Sequence, residues 1–283
     1  MNNFNEPSVL YHYTSLNAFF NIVDKKEFRL YDITKSNDPL EGVYSIQVLE
    51  DAYDSLYHDG QFDRDEYLLA HRAFLQFKYT YFEYERTRDL YAAASFCTSN
   101  HELSMLRVYA DNGCGLALGF RVEELERLAK GNPNLTFKQV EYISSEQFKK
   151  RAEQFWVEKI KYFKSLIIDV NEDTLLPLVD TIAEWYCQGF FIKDEANKDE
   201  EEYRLLYRLD NLFEYSLLNN EPVPKEIDFE VKKSDLKAYY KIPISEDEDS
   251  LLCFNQIILG PSCDAKICDI RTFLRKHGIK HCC

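Results

Sequence analysis

Glycine and proline are scarce in this chain, 9 and 8 among 283 residues, and that scarcity argues against long flexible linkers. No window approaches the roughly 18 apolar residues that a membrane span needs, so no membrane association is expected. The opening Met1-Asn2-Asn3-Phe4-Asn5-Glu6-Pro7 lacks the basic start and apolar centre of a secretory signal, and a cytoplasmic location is the expectation. The 8 cysteines form no paired CxxC and read as reduced thiols. Cys263, Cys268, His281, Cys282 and Cys283 cluster near the end, but their irregular spacing is poor for zinc, and no metal is expected. Basic residues are in deficit, 34 against 49 acidic, for a net charge of −15. Tight binding to a phosphate backbone depends on basic groups neutralising it, so generic nucleic-acid binding is disfavoured. There is no internal repeat and no low-complexity segment.

What the chain has instead is aromatic residues, 20 Phe and 20 Tyr, enough to build a sizeable core. The periodicities alternate between helix and strand and predict one α+β domain over 1–283, a central mixed or antiparallel sheet flanked by helices. Leu16, Phe19, Phe20 and Val23 recur at helical spacing behind Ser15, a good N-cap. Val43 to Leu56 and Phe74 to Tyr84 predict two scaffold helices, and Tyr91 to Cys97 a central strand with close neighbours. Ser99-x-x-Glu102 and Ser144-x-x-Gln147 read as capping boxes. Gly113 and Gly115 mark a turn that either admits a ligand closely or is plain turn geometry. Two further helices are predicted, one from Phe148 to Leu166 and one from Asp173 to Gly189. Leu135, Phe137 and Val140 to Ile143 predict a strand, and Leu251 to Leu259 another, followed by a helix capped by Ser262.

Two stretches carry chemistry. In Leu10-Tyr11-His12-Tyr13-Thr14-Ser15, His12 and Thr14 share one face of a strand just before a helix N-terminus, where a polar ligand can meet both side chains and free N–H groups. The plain alternative is a half-buried histidine closing a strand end. In Lys198-Asp199-Glu200-Glu201-Glu202-Tyr203-Arg204-Leu205-Leu206-Tyr207 an acidic loop becomes a strand. Period two puts Glu200, Glu202, Arg204 and Leu206 on one face, Tyr203, Leu205 and Tyr207 on the other, and leaves Glu201 off the charged face. The plain alternative here is a solvated acidic loop before an edge strand. The Asn37-Asp38-Pro39-Leu40-Glu41-Gly42 loop reads as an ordered polar loop, with Asn37 and Asp38 either contacting ligand or capping the helix at Val43.

Taken in order, Tyr11 to Ser15, Asn37 to Gly42, Ser95-Phe96-Cys97, Tyr109-Ala110 with Gly113 and Gly115, Glu200-x-Glu202-Tyr203-Arg204 and Ile258-Leu259-Gly260-Pro261 resemble the bacterial domain-of-unknown-function family 2971. The chain has Leu106 and Tyr203 where that family tends to have Trp. A second likeness, a His-x-Thr on an early strand and a late Glu opening a strand, resembles the ADP-ribosyltransferase fold. It implies an NAD-consuming ADP-ribosyltransferase or NAD glycohydrolase, a toxin or anti-phage defence effector, with NAD as substrate. Under that likeness Glu202 and Glu200 are catalytic, and His12, Tyr13, Thr14, Asn37 and Arg204 bind NAD. His12 and Glu202 would then face one cleft. The partners implied are a small-molecule nucleotide and a macromolecular acceptor or protein partner. The alternatives are a non-catalytic binding module and a hydrolase using His12 with acidic residues.

Overall fold

The computed structural model describes residues 7–35, 43–80, 90–99, 103–166, 172–209, 224–232, 235–244 and 253–279. In chain order these form β1 (Val9–Thr14), α1 (Leu16–Lys25), β2 (Glu27–Asp32), α2 (Val43–His58), α3 (Arg64–Lys78), β3 (Leu90–Cys97), α4 (Leu103–Tyr109), β4 (Leu116–Arg121), α5 (Val122–Gly131), β5 (Leu135–Gln139) and β6 (Glu141–Ile143). There follow α6 (Ser145–Leu166), α7 (Glu172–Gly189), β7 (Ile192–Asp194), β8 (Glu202–Leu209), β9 (Ile227–Lys232), β10 (Asp235–Pro243), β11 (Phe254–Leu259) and α8 (Ile267–Lys276).

The fold is α+β. Nine strands form one antiparallel sheet, in the order β11-β4-β1-β3-β2-β10-β9, with β8 on the other edge of β3 and β5 beyond it. Among the described residues only β6 and β7 are parallel, as a separate pair. β3 is the hub. Its full length pairs with β8, from Leu90↔Leu209 to Cys97↔Glu202. Its opposite edge is shared: β1 meets it at Tyr11↔Cys97, and β2 at Tyr31↔Ala93 and Asp32↔Ala92. The expectation of a central strand with small neighbours at Tyr91 to Cys97 matches this position.

Strand periodicity sorts side chains to two faces. On the first, Leu10, Phe28, Ala92, Phe96, Leu118, Leu205 and Tyr207 join Phe19 and Val23 of α1, Leu125 of α5 and Leu274 of α8 in one core. The sheet curls around this core, so Tyr207 of β8 stacks on Tyr240 of β10 with ring centroids 3.8 Å apart. On the second face, Tyr91 and Leu206 pack under α2, α3, α6 and α7. Beside that layer, Tyr11, Tyr13, Cys97 and Ala117 pack under Met105 and Leu106 of α4.

Local signals explain most elements. Ser15 caps α1 by accepting from the Ala18 N–H at 3.1 Å. The box at Ser144 and Gln147 closes in both directions, at 3.1 and 3.3 Å. Leu175, Val179, Ile182 and Tyr186 of α7 are buried as their spacing predicts. Three expectations need correction. The inward face of α1 is Phe19, Ile22 and Val23; Leu16 and Phe20 are exposed, and Phe20 stacks instead on Phe273. Ser262 does not cap α8, which starts at Ile267 after Lys266; its backbone N–H docks on the Gly113 carbonyl at 3.0 Å. The strand read through Val140 is broken there, into β5 and β6. The Asn37–Gly42 loop, Tyr81, Tyr84, Glu102, Leu251, His281, Cys282 and Cys283 lie outside the described residues.

Candidate functional site

The site is built from the start of β8 upward. Glu202 and Arg204 are two apart on one face of β8, and each is 1% exposed. A buried carboxylate needs a cation and its hydrogen bonds. Arg204 supplies both, with Nε at 2.8 Å and Nη2 at 2.7 Å from Glu202 Oε1, while its Nη1 donates to the Phe190 carbonyl. The other oxygen, Oε2, faces Lys193 Nζ of β7 at 2.7 Å. The Ser95 hydroxyl of β3 donates to Oε1 at 2.5 Å. Ser95 is exposed while its strand neighbours Phe96 and Cys97 are buried, so this hydrogen bond links the buried charge to a solvent-exposed residue.

The rim of the cluster is acidic. Lys193 Nζ also pairs with Glu200 Oε2 at 2.8 Å, and the Tyr109 hydroxyl of α4 donates to Glu200 Oε1 at 3.2 Å. The Thr98 hydroxyl donates to Glu201. The Glu202 N–H donates to the Tyr142 hydroxyl at 2.9 Å. Burial pushes the Glu202 carboxyl up, but Arg204, Lys193 and the Ser95 hydroxyl outweigh it and hold it below the usual carboxylate range. Burial lowers Lys193, and Glu202 and Glu200 more than reverse this, so the ammonium is held charged. Tyr109 and Tyr142 are each pushed up to about 12, first by burial and then by the carboxylates. The cluster is therefore a fixed set of ionised groups, not a poised acid–base pair.

The sequence-derived residues divide between the two faces. Glu202 and Arg204 meet as expected. Glu200 joins them, but not as part of the strand. It ends a 3-10 turn, Glu195–Glu200, and Glu201 follows in the left-handed region at φ 42°; Lys193 links Glu200 to the cluster. Tyr13 points to the same side, with its hydroxyl on the Ser99 carbonyl at 2.8 Å. His12 and Thr14 do not join it. Tyr11 pairs with Cys97, and Cys97 with Glu202, so odd residues of β1 share the Glu202 face and even ones take the opposite face. His12 sits half-buried against the rings of Phe28 and Phe96, with centroids 5.0 and 5.8 Å away. Its Nδ1 donates to the Ser95 carbonyl at 2.9 Å. The expectation that His12 and Glu202 share one cleft is corrected by the parity of β1. Asn37 lies outside the described residues.

Lys193 and Tyr142 were missed by sequence reasoning. Both come from the short β6–β7 pair, where Tyr142 and Lys193 stand opposite each other; three-residue strands carry too little periodicity to read. The glycines at the turn serve backbone packing: a Cβ on Gly115 would stand 2.2 Å from the Thr14 carbonyl, and one on Gly260 2.2 Å from that of Gly113. A groove of about 440 Å³ lies elsewhere, between α5 and β5, lined by Val122, Ala129, Phe137 and Tyr203 among others. The ion cluster carries the chemistry, the groove the volume. Among the described residues no helix is long and apolar enough to cross a membrane.

Residues 105–205 match the family described as Protein of unknown function (DUF2971). The stretch from Tyr109 to Gly115 and that from Glu200 to Arg204 fall inside the match, as do Tyr142 and Lys193. Tyr11 to Ser15, Ser95 to Cys97 and Ile258 to Pro261 fall outside it. No curated protein and no solved structure matches the chain.

Proposed function

We propose that the chain consumes NAD at the face carrying Ser95, Glu200 and Glu202, as an ADP-ribosyltransferase or NAD glycohydrolase. The observation that carries this reading is the Glu202 carboxylate, ionised and fixed at the head of β8, reached from solvent through the exposed Ser95 hydroxyl at 2.5 Å. Loss of nicotinamide builds positive charge on the ribose, and a preorganised carboxylate stabilises that charge more than it stabilises the ground state. The Ser95 hydroxyl marks the direction from which a ribose hydroxyl would approach Oε1. Lys193 and Arg204 temper the effect by neutralising part of the charge, but Glu200 and Glu201 beside them keep the rim acidic. In this reading His12 and Thr14 make no contact with NAD. A small-molecule nucleotide is the ligand, a macromolecule the acceptor, and a toxin or defence effector the setting, the last three from the resemblance alone.

A non-catalytic binding module is the second reading. One observation favours it: both oxygens of Glu202 are already engaged, and the cluster ties β3, β6, β7 and β8 together as a clasp would. Nicotinamide release separates the two. On the catalytic reading, Glu202→Gln lowers release by about a hundredfold to a thousandfold, with NAD affinity of the folded fraction nearly unchanged. Ser95→Ala lowers release and also costs stability, about 1.5–3 kcal/mol for the hydrogen bond lost to a charged group. Absence of release from the wild-type chain, with Glu202→Gln altering stability alone, would leave the binding module.

A further inference from the structure

His12 is a half-buried ionisable group that the proposed chemistry does not use, and its position in the sheet explains why. The Glu202 carbonyl accepts from the Val140 N–H at 2.8 Å, and the Arg208 N–H donates to Asn134 at 2.9 Å. Even residues of β8 therefore aim their backbone groups away from β3. In an antiparallel ladder the residue opposite does the same. Ser95 stands opposite Arg204, so its N–H and C=O point to the far edge of β3. On that edge Ala93 finds Tyr31 of β2, and Cys97 finds Tyr11 of β1. Ser95 lies between them, where β1 and β2 part, and has no register partner on that edge among the described residues. Its carbonyl accepts from His12 Nδ1 instead. A carbonyl only accepts, so the neutral ring carries its proton on Nδ1. The contacts with Phe28 and Phe96 fix the plane of the ring.

We infer that His12 is a positioning residue: its Nδ1–H replaces a missing ladder bond at the split between β1 and β2, fixes the backbone at Ser95, and thereby sets the Ser95 hydroxyl against Glu202 on the opposite face. This rests on the reading that the Ser95 and Glu202 face is the working one. It also replaces the role that the resemblance gave His12, contact with NAD, by a role exerted through the sheet.

The two amide replacements of histidine distinguish these roles. Asparagine places an N–H near the Nδ1 position, and glutamine places one near Nε2. Three variants follow, His12→Asn, His12→Gln and His12→Leu. The readouts are the tautomer of His12 in the wild-type chain by nitrogen NMR, the carbon resonances of the Ser95 carbonyl and the Glu202 carboxyl, and nicotinamide release. Positioning through Nδ1 predicts the Nδ1–H tautomer. It also predicts that both carbon resonances stay near their wild-type places in His12→Asn and move in His12→Gln and His12→Leu. Release should survive in His12→Asn and fall in the other two by roughly ten- to a hundredfold, the scale of an ångström-sized misplacement. An Nε2–H tautomer, an unmoved Glu202 resonance in His12→Gln, or rescue of release by Gln instead of Asn would overturn the inference. A wild-type chain that releases no nicotinamide ends the NAD reading, and the tautomer and the two resonances still decide this one. Should His12→Leu fail to fold, the Asn and Gln pair carries the test.

Discussion

The two faces of the sheet meet at Ser95 and use opposite physics. Toward the first face its carbonyl is held by a neutral imidazole among aromatic rings. Toward the second its hydroxyl joins a cluster in which Glu202, Arg204 and Lys193 are all charged. The first face gains from removing apolar surface from water, which is non-directional and tolerant of small shifts. The second gains only if every lone pair and proton finds its partner, since buried ions are expensive when unpaired. A fold spends such an arrangement where orientation matters, so the ion cluster is the place to look for function and the aromatic face the place to look for support.

The largest effect that would break the comparison is at Arg204. Arg204→Met keeps the bulk and removes the cation, and leaves Glu202 in a nearly dry site with Lys193 as its remaining cation among the described residues. Removing one partner of a buried pair costs about 3–5 kcal/mol, read as a fall in the denaturation midpoint. Adding Glu202→Gln to Arg204→Met should recover part of that loss, because the stranded charge goes too, and the double-mutant cycle should be strongly non-additive. Phe28→Ala on the other face costs a similar amount, about 3–5 kcal/mol, but its cost should be the same in low and high salt and unaffected by Glu202→Gln. Additive behaviour of Arg204 with Glu202 would mean that the ion cluster is not a unit.

The difference between the faces also marks what could be read from sequence. Period two in Glu202, Arg204 and Leu206 put the charged pair on one face without a structure, and the capping signals at Ser15 and Ser144 located two helices. What failed depended on non-local pairing. His12 and Glu202 could be assigned to a strand each, but whether they share a face depends on the register Tyr11↔Cys97↔Glu202, and a one-residue change in register reverses the answer. Lys193 and Tyr142 sit on strands too short to carry a period. Glu200 was placed in a strand because alternation continues through it, whereas the left-handed Glu201 ends the alternation there.

Acid should separate the faces by pH. Burial holds His12 below its ordinary value of 6.5, only partly opposed by the Ser95 carbonyl. The unfolded chain then takes up a proton more readily than the folded one, so the stability His12 contributes is complete above 6.5 and is lost as pH falls from there toward its lowered value. Glu202 is likewise lowered, from 4.5. Its contribution is complete above 4.5 and disappears as pH falls through its folded value. Melting temperature followed down in pH should show a first decline that His12→Asn removes and a second, more acidic one that Glu202→Gln reduces, the rest belonging to other lowered carboxylates such as Asp63 and Asp228. A single decline insensitive to His12 would mean that the imidazole is not held neutral by its surroundings.

The smallest effect concerns Glu201, which the strand pattern leaves off the charged face. It is exposed, yet it sits at φ 42° and its carboxylate accepts from Thr98. A left-handed backbone costs a non-glycine residue roughly 1–2 kcal/mol, and glycine gives back about half to all of the relief through its greater freedom when unfolded. Glu201→Gly should therefore change stability by less than about 1 kcal/mol. Glu201→Gln, which keeps the backbone and an acceptor for Thr98, should stay within about 0.5 kcal/mol, as exposed substitutions do. Neither should disturb the Glu202 carboxyl resonance, because Lys193 and Arg204 fix it from other elements. A loss well beyond these values in Glu201→Gly alone would show that the Thr98 contact holds the turn, and that the charged face extends one residue further than the buried cluster.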